Sequence, residues 1–216
     1  MTKSIWAVVI MVVLLLGVGA TMAYRAPLTR LLNPPREPAP APTSSGTVLS
    51  QNYATTTFSF GYPESYTLNE GYTYDAFGPK KLIHGIALTI PASMATTSAG
   101  TNLSSDTRIS VEQLPRARNC TGDIYLQENV FSYTFTEGGI SYSLATTSGA
   151  AAGNRYEELV YALATSSPCT SVRYFLHSSS IENYDPGTHT EFDRAALLKE
   201  LDAIRRSVVL KTVVTQ

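Results

Sequence analysis

The stretch of sequence that decides the fold class is Phe131-Ser132-Tyr133-Thr134-Phe135-Thr136-Glu137-Gly138-Gly139-Ile140-Ser141-Tyr142-Ser143-Leu144. On both sides of the glycine pair, aromatic or aliphatic residues alternate with small polar residues. A period of two is typical of a half-buried β-strand, and two glycines between such runs are typical of a tight hairpin turn. The sequence therefore predicts an antiparallel β-hairpin at this point of the chain.

Further runs with the period of a strand lie on both sides of this hairpin. The predicted strands cover residues 58–62, 86–90, 107–114, 155–164 and 170–178. Four Ser/Thr-rich tracts have no fixed spacing, and we interpret them as loops; one of them covers residues 145–148. The strands predict a sheet-based domain.

The C-terminal end of the domain has a different period. From Phe192 to Val208, apolar residues recur every three or four positions with charged residues between them, which indicates an amphipathic helix. Thr190 is its predicted N-cap, and Val208-Val209-Leu210 is a candidate last strand. Helices packed on an antiparallel sheet make an α+β domain, and this is the fold class that we expect.

The N-terminal part of the chain is unlike the rest. Residues 5–23 are 19 uncharged, mostly apolar residues, and a helix of this length spans roughly 30 Å, the thickness of a bilayer core. We predict that residues 1–25 contain one transmembrane helix that contacts the lipid bilayer, or alternatively a cleaved signal peptide. Six of the 12 prolines follow in residues 26–47, which predicts an extended linker. The folded domain is then expected at 48–211, with a tail at 212–216, outside the cytoplasm on a single-pass anchor.

Charge excludes one class of partner. The 216 residues hold 16 Lys and Arg against 17 Asp and Glu, so the formal net charge is −1. A nucleic-acid-binding protein normally has an excess of basic residues, so we expect no nucleic-acid partner. We expect a monomeric domain that binds an unknown protein or ligand of the cell envelope.

The two cysteines indicate a compartment. Cys120 and Cys169 are the only two cysteines, and both lie downstream of the predicted export signal. An even number of cysteines in an exported protein favours a disulfide. The sequence leaves two alternatives open, namely two inert buried thiols or a catalytic thiol. An envelope enzyme resembling the sortase transpeptidases would use Cys169 with His84 and Arg173, which occur in the order of the sortase triad. Pro168 stands where sortases have a threonine, and Arg173 lies closer to the cysteine than their arginine does.

No other catalytic, metal or cofactor site is expected from the sequence. The three histidines are scattered, and the cysteines lack the spacing of a zinc site. The remaining candidate is a binding surface, because tyrosine is enriched at interfaces and five tyrosines fall within 22 residues. They are Tyr53, Tyr62, Tyr66, Tyr72 and Tyr74.

Several short motifs resemble those of PsbP-like domains. The first is Phe58-Ser59-Phe60-Gly61-Tyr62-Pro63-Glu64-Ser65-Tyr66. The others are Gly153-Asn154-Arg155-Tyr156, the strand pair that ends with residues 169–177, and the closing helix at 192–204. The middle, residues 102–139, has no clear match. The resemblance implies an α/β/α sandwich and a non-enzymatic accessory role, and it assigns no functional residues.

Overall fold

A computed structural model describes residues 46–95 and 100–211. The chain divides between Gly46 and Thr47 into two units, and apart from Gly46 every described residue belongs to the second. The predicted transmembrane helix and tail lie outside the described residues, as does all of the predicted linker before Gly46. Within the described ranges, no helix has the length and apolar character needed to cross a membrane.

The described residues form eleven β-strands and one α-helix. In chain order they are β1 Gln51–Ala54, β2 Phe58–Tyr62, β3 Thr67–Asn69, β4 Thr73–Tyr74, β5 Ile83–Thr89, β6 Arg108–Leu114, β7 Tyr133–Glu137, β8 Ile140–Ala151, β9 Asn154–Leu163, β10 Cys169–Ser179, α1 Arg194–Arg206 and β11 Val209–Leu210.

Eight of these strands form one antiparallel sheet. Its order is β3-β5-β6-β10-β9-β8-β7, and β4 also pairs with β5. The remaining three strands form a small sheet in the order β1-β2-β11. The predicted hairpin is confirmed, since β7 pairs with β8 from Glu137 opposite Ile140 to Tyr133 opposite Leu144.

The helix and the small sheet pack on one side of the large sheet, which we call the helix face. Val172 and Tyr174 of β10 are fully buried there, together with Leu201 and Ile204 of α1. Apolar residues three and four apart lie on one side of a helix, and they produce this contact. Asp193 caps the helix by accepting a hydrogen bond from the Ala196 amide at 2.9 Å, so the prediction of Thr190 as N-cap is wrong.

The opposite side of the large sheet, which we call the loop face, is covered by the connection between β6 and β7. This connection contains one turn of 3₁₀ helix, Gly122–Tyr125. Gly122 lies so close to the sheet that a Cβ would stand 2.7 Å from the Ala145 amide nitrogen and 2.7 Å from the Val160 carbonyl. A glycine is therefore required where this loop meets the strands.

The predicted α/β/α sandwich is wrong. The described residues contain a single α-helix, and it covers only one face of the sheet. The physical reason lies in residues 115–132, which have no helical period and pack on the loop face as an irregular connection. The domain is mostly β-sheet, with a disulfide-bonded loop where a second helical layer was expected.

Candidate functional site

The candidate site is an open cleft at one end of the large sheet, where β5 begins, β6 ends and β10 begins. We call it the cationic cleft. Its volume is about 840 Å³. Its lining residues come from the start of β5, the end of β6 and the loop that follows; they are Leu82, His84, Leu114, Pro115, Arg116, Ala117, Arg118, Asn119 and Ile124.

The cleft combines an apolar surface with uncompensated positive charge. Arg116 and Arg118 are exposed, and neither forms an ion pair with any of the described residues. Its lining contains no aspartate or glutamate, while Lys80 and Lys81 immediately precede Leu82 in the chain. Leu82 itself is 41% exposed and adds apolar surface to the cleft. An anion bound here would find cations without a competing carboxylate in the wall.

Three anchors hold the loop that carries the two arginines. A disulfide joins Cys120 to Cys169 with a Cα–Cα distance of 5.1 Å, so the predicted disulfide is present. Gly122 packs against the sheet, and its amide donates to the Ser143 hydroxyl at 3.1 Å. The hydroxyl of the fully buried Tyr125 donates to the Cys169 carbonyl at 2.8 Å. The loop geometry is thereby fixed before a ligand arrives, which lowers the entropic cost of binding.

The buried Arg173 supports the same loop from below. Its guanidinium donates two hydrogen bonds to the Glu112 carboxylate, at 2.8 and 2.9 Å, and one to the Tyr125 carbonyl at 2.8 Å. It also pairs with Glu158 and lies 3.6 Å from the centre of the Tyr74 ring. Burial opposes the charge, but the two carboxylates outweigh it and keep the pKa of Arg173 raised.

A second buried arginine occupies the helix face. Arg205 of α1 donates to Glu137 at 2.6 Å and to the Tyr174 hydroxyl at 3.0 Å, between the rings of Tyr142 and Tyr161. The hydrogen bond from Arg205 lowers the pKa of the Glu137 carboxyl. Both buried arginines are held by carboxylates and aromatic rings of the protein, so we infer that they stabilise the fold.

The structure does not assemble the residues of the sortase-like alternative. Cys169 is bonded to Cys120, so its sulfur is not a free thiolate. His84 lies opposite Gln113 in the β5–β6 pairing, and Arg173 lies opposite Ser110 in the β6–β10 pairing. Positions 110 and 113 of β6 point to opposite sides of the sheet, because side chains alternate along a strand. His84 and Arg173 therefore lie on different faces.

The five tyrosines are divided between two parts of the domain. Tyr53, Tyr62 and Tyr66 pack with the core of the helix face, where Tyr66 is buried. Tyr72 and Tyr74 pack with the loop-face core, and Tyr74 is buried beside Arg173. Their predicted role as one binding surface stays a prediction, and the structure does not bring them together.

A second cleft, of about 570 Å³, contrasts with the first. It lies near the start of α1 and includes Arg155, Glu157, Glu191 and Arg194. Arg194 forms an ion pair with Glu157, so part of the charge in this wall is already neutralised. An uncompensated charge is the stronger sign of a ligand site, and the cationic cleft is therefore our candidate.

No family model and no curated protein matches the chain. A crystal structure of a protein from Bacteroides thetaiotaomicron, at 1.50 Å resolution, is similar with 11% sequence identity and a TM-score of 0.42. The match covers 77% of this chain and 50% of that one, so the chain spans about half the length of that structure.

The cationic cleft was not predicted from the sequence. A signal for it exists in Pro115-Arg116-Ala117-Arg118-Asn119-Cys120, where two arginines lie four and two positions before a cysteine predicted to be bonded. A disulfide at Cys120 fixes the loop that carries these arginines, and arginines on a fixed loop present their charge in a defined direction.

Proposed function

We propose that this protein is an exported, non-catalytic binding module of the cell envelope, and that the cationic cleft binds a small ligand in which an anionic group is attached to an apolar body. The observation that carries the proposal is the pair Arg116 and Arg118, exposed without counter-ions on a loop anchored by the disulfide. Such a pair favours a carboxylate, sulfonate or phosphate.

The walls of the cleft support the second half of this ligand description. Leu82, Leu114, Ala117 and Ile124 all line it. Burying their apolar surface contributes about 25 cal/mol per Å², whereas a purely ionic contact at an exposed site contributes little. A ligand that makes both an apolar and an ionic contact therefore fits this cleft better than an inorganic anion does.

The disulfide supports the location outside the cytoplasm. Bonds of this kind persist in oxidising compartments and are rare where thiols are kept reduced. It also supports a non-catalytic role, because it occupies the two sulfurs that would otherwise be the candidate nucleophiles.

The test is a binding titration of the full chain, with its disulfide intact, using naphthalene-1-sulfonate as the probe. Naphthalene-1-methanol is the neutral control with the same apolar body. We expect saturable binding of the sulfonate that weakens as salt is raised, and binding of the alcohol at least tenfold weaker. Isothermal titration calorimetry measures both.

The residue-level control compares two sets of exposed arginines. Arg116→Gln combined with Arg118→Gln is expected to abolish sulfonate binding, whereas Arg155→Gln in the second cleft is expected to leave it unchanged. Equal affinities for the sulfonate and the alcohol would overturn the proposal, as would undiminished binding by the double variant.

A further inference from the structure

The strand β7 is an edge strand with unused hydrogen-bonding groups. It pairs with β8 on one side, and among the described residues nothing pairs with its other side. Gly138 and Gly139 have φ values of +59° and +81°, the conformation of a two-residue hairpin turn. In such a hairpin the residues that flank the turn, here Glu137 and Ile140, exchange hydrogen bonds with each other.

The direction of the remaining groups follows from the alternation in an antiparallel ladder. Glu137, Phe135 and Tyr133 direct their N–H and C=O groups toward β8. Thr136 and Thr134 therefore direct theirs away from the sheet, where another strand could pair with them. Thr134 is exposed and is the second of the five residues of this strand.

The edge is also apolar and unprotected. Phe131, just before β7, is 100% exposed, and Tyr133 is 61% exposed. Proteins usually protect an edge strand with lysine, proline, a bulge or an inward-pointing charge. Residues 131–137 contain no lysine, proline or bulge, and their one charged side chain, Glu137, is neutralised by Arg205 and Arg206 of the helix.

We propose that the β7 edge pairs with the β7 edge of a second copy of this chain, antiparallel and about a two-fold axis at Thr134. This register places Thr134 opposite itself and Thr136 opposite Ser132, and it uses more outward-facing groups than a register centred on Phe135. The sequence is self-complementary in this register. Tyr133 of each copy lies opposite Phe135 of the other, and aromatic pairs directly across an antiparallel ladder are stabilising.

The same register avoids the contacts that would oppose pairing. Glu137 lies opposite Phe131, so no two like charges face each other across the axis. A single pair of short strands buries less than the roughly 1,600 Å² of a standard stable interface. We therefore expect weak association, with monomers at low concentration and dimers at high concentration, in contrast to the monomeric domain expected from the sequence.

The test uses charge at the two-fold axis, because a side chain at position 134 would lie opposite its own copy. Thr134→Lys and Thr134→Glu each place two like charges together, and the position is exposed, so the fold tolerates both. Sedimentation velocity of the full chain, whose monomer mass is 23.4 kDa, is expected to show association of the wild type with rising concentration. We expect at least tenfold weaker association for either variant alone, and restored association when the two variants are mixed in equal amounts.

Thr134→Ala is the matched control, since it keeps the backbone N–H and adds no charge, and it should associate like the wild type. All variants share the same N-terminal residues, so association through that part of the chain would be equal in all of them. A wild type that stays monomeric overturns the proposal. It is equally overturned if both charged variants associate normally, or if their mixture does not associate.

Discussion

Arg173 lies beneath the loop between β6 and β7, and Arg116 and Arg118 lie on it, yet only Arg173 is given counter-charges by the protein. Arg173 is fully buried and bound by Glu112, Glu158 and the Tyr125 carbonyl. Arg116 and Arg118 are exposed and have no ion-pair partner in the described part of the chain. A charge that the fold satisfies stabilises the fold, and a charge that the fold leaves unsatisfied is free to bind a ligand.

The largest expected effect comes from breaking the buried pair. Arg173→Met leaves Glu112 buried without its cation, and we expect it to destabilise the domain by about 3–5 kcal/mol. Urea unfolding measures the loss, with Arg116→Met as the matched control, expected within about 0.5 kcal/mol of the wild type. Equal losses in the two variants would contradict the distinction between paired and unpaired arginines.

The buried pair can also be removed as a unit, which sharpens the comparison. Combining Arg173→Met with Glu112→Leu replaces both charges by apolar groups, and such replacements recover much of the stability lost with one partner. We expect the double variant to be at least 1–2 kcal/mol more stable than Arg173→Met alone, by the cost of leaving one charge buried and unpaired. A double variant that is less stable than the single one would show that Glu112 is satisfied without Arg173.

Loss of the disulfide ranks next in size after Arg173→Met, and it affects both parts of the comparison. Replacing Cys120 and Cys169 by alanine opens a loop of 49 residues, which costs about 3–4 kcal/mol in the chain-entropy model. Sulfonate binding should also weaken, because the loop that carries Arg116 and Arg118 loses one of its anchors. Urea unfolding measures the stability loss, and calorimetry of the folded proteins measures sulfonate binding. Undiminished binding would show that Gly122 and Tyr125 are sufficient anchors.

The smallest expected effect concerns the pH dependence at the helix face. Glu137 has a lowered pKa through Arg205, so its contribution is present at neutral pH and is lost as pH falls through the folded-state pKa, below its ordinary value of 4.5. The carboxylate is partly exposed, so we expect at most about 1 kcal/mol. Glu137→Gln should remove this acid-dependent loss in urea unfolding between neutral and acidic pH. An unchanged pH dependence in the variant would show that the ion pair does not contribute.

The hairpin and the closing helix could be predicted because each has a regular apolar period. The second half of β8 could not, since residues 145–151 are small or polar and were interpreted in part as a loop. They nevertheless pair with β9 around a turn at Ala152 and Gly153. The pairing uses backbone N–H and C=O groups, which small and polar residues supply as well as apolar residues do.

The burial of Arg173 could not be predicted for a different reason. Its partner Glu112 is 61 residues away in the sequence, and each of them reads as the polar position of an alternating strand. Only the strand order, which places β6 beside β10, brings their side chains together. The role of the exposed arginines could likewise not be predicted, because it depends on the disulfide-bonded loop and on the apolar residues that the end of the sheet places beside them.

The most direct test of this account is urea unfolding of the wild type and of the Arg116→Gln, Arg118→Gln double variant, each with and without naphthalene-1-sulfonate. A ligand that binds only the folded state raises the free energy of unfolding, by about 2.7 kcal/mol at one hundred times its dissociation constant. We predict equal stability of the two proteins without the sulfonate, and stabilisation of the wild type alone when it is present. Destabilisation of the double variant without the sulfonate, or equal stabilisation of both proteins by it, would contradict the account.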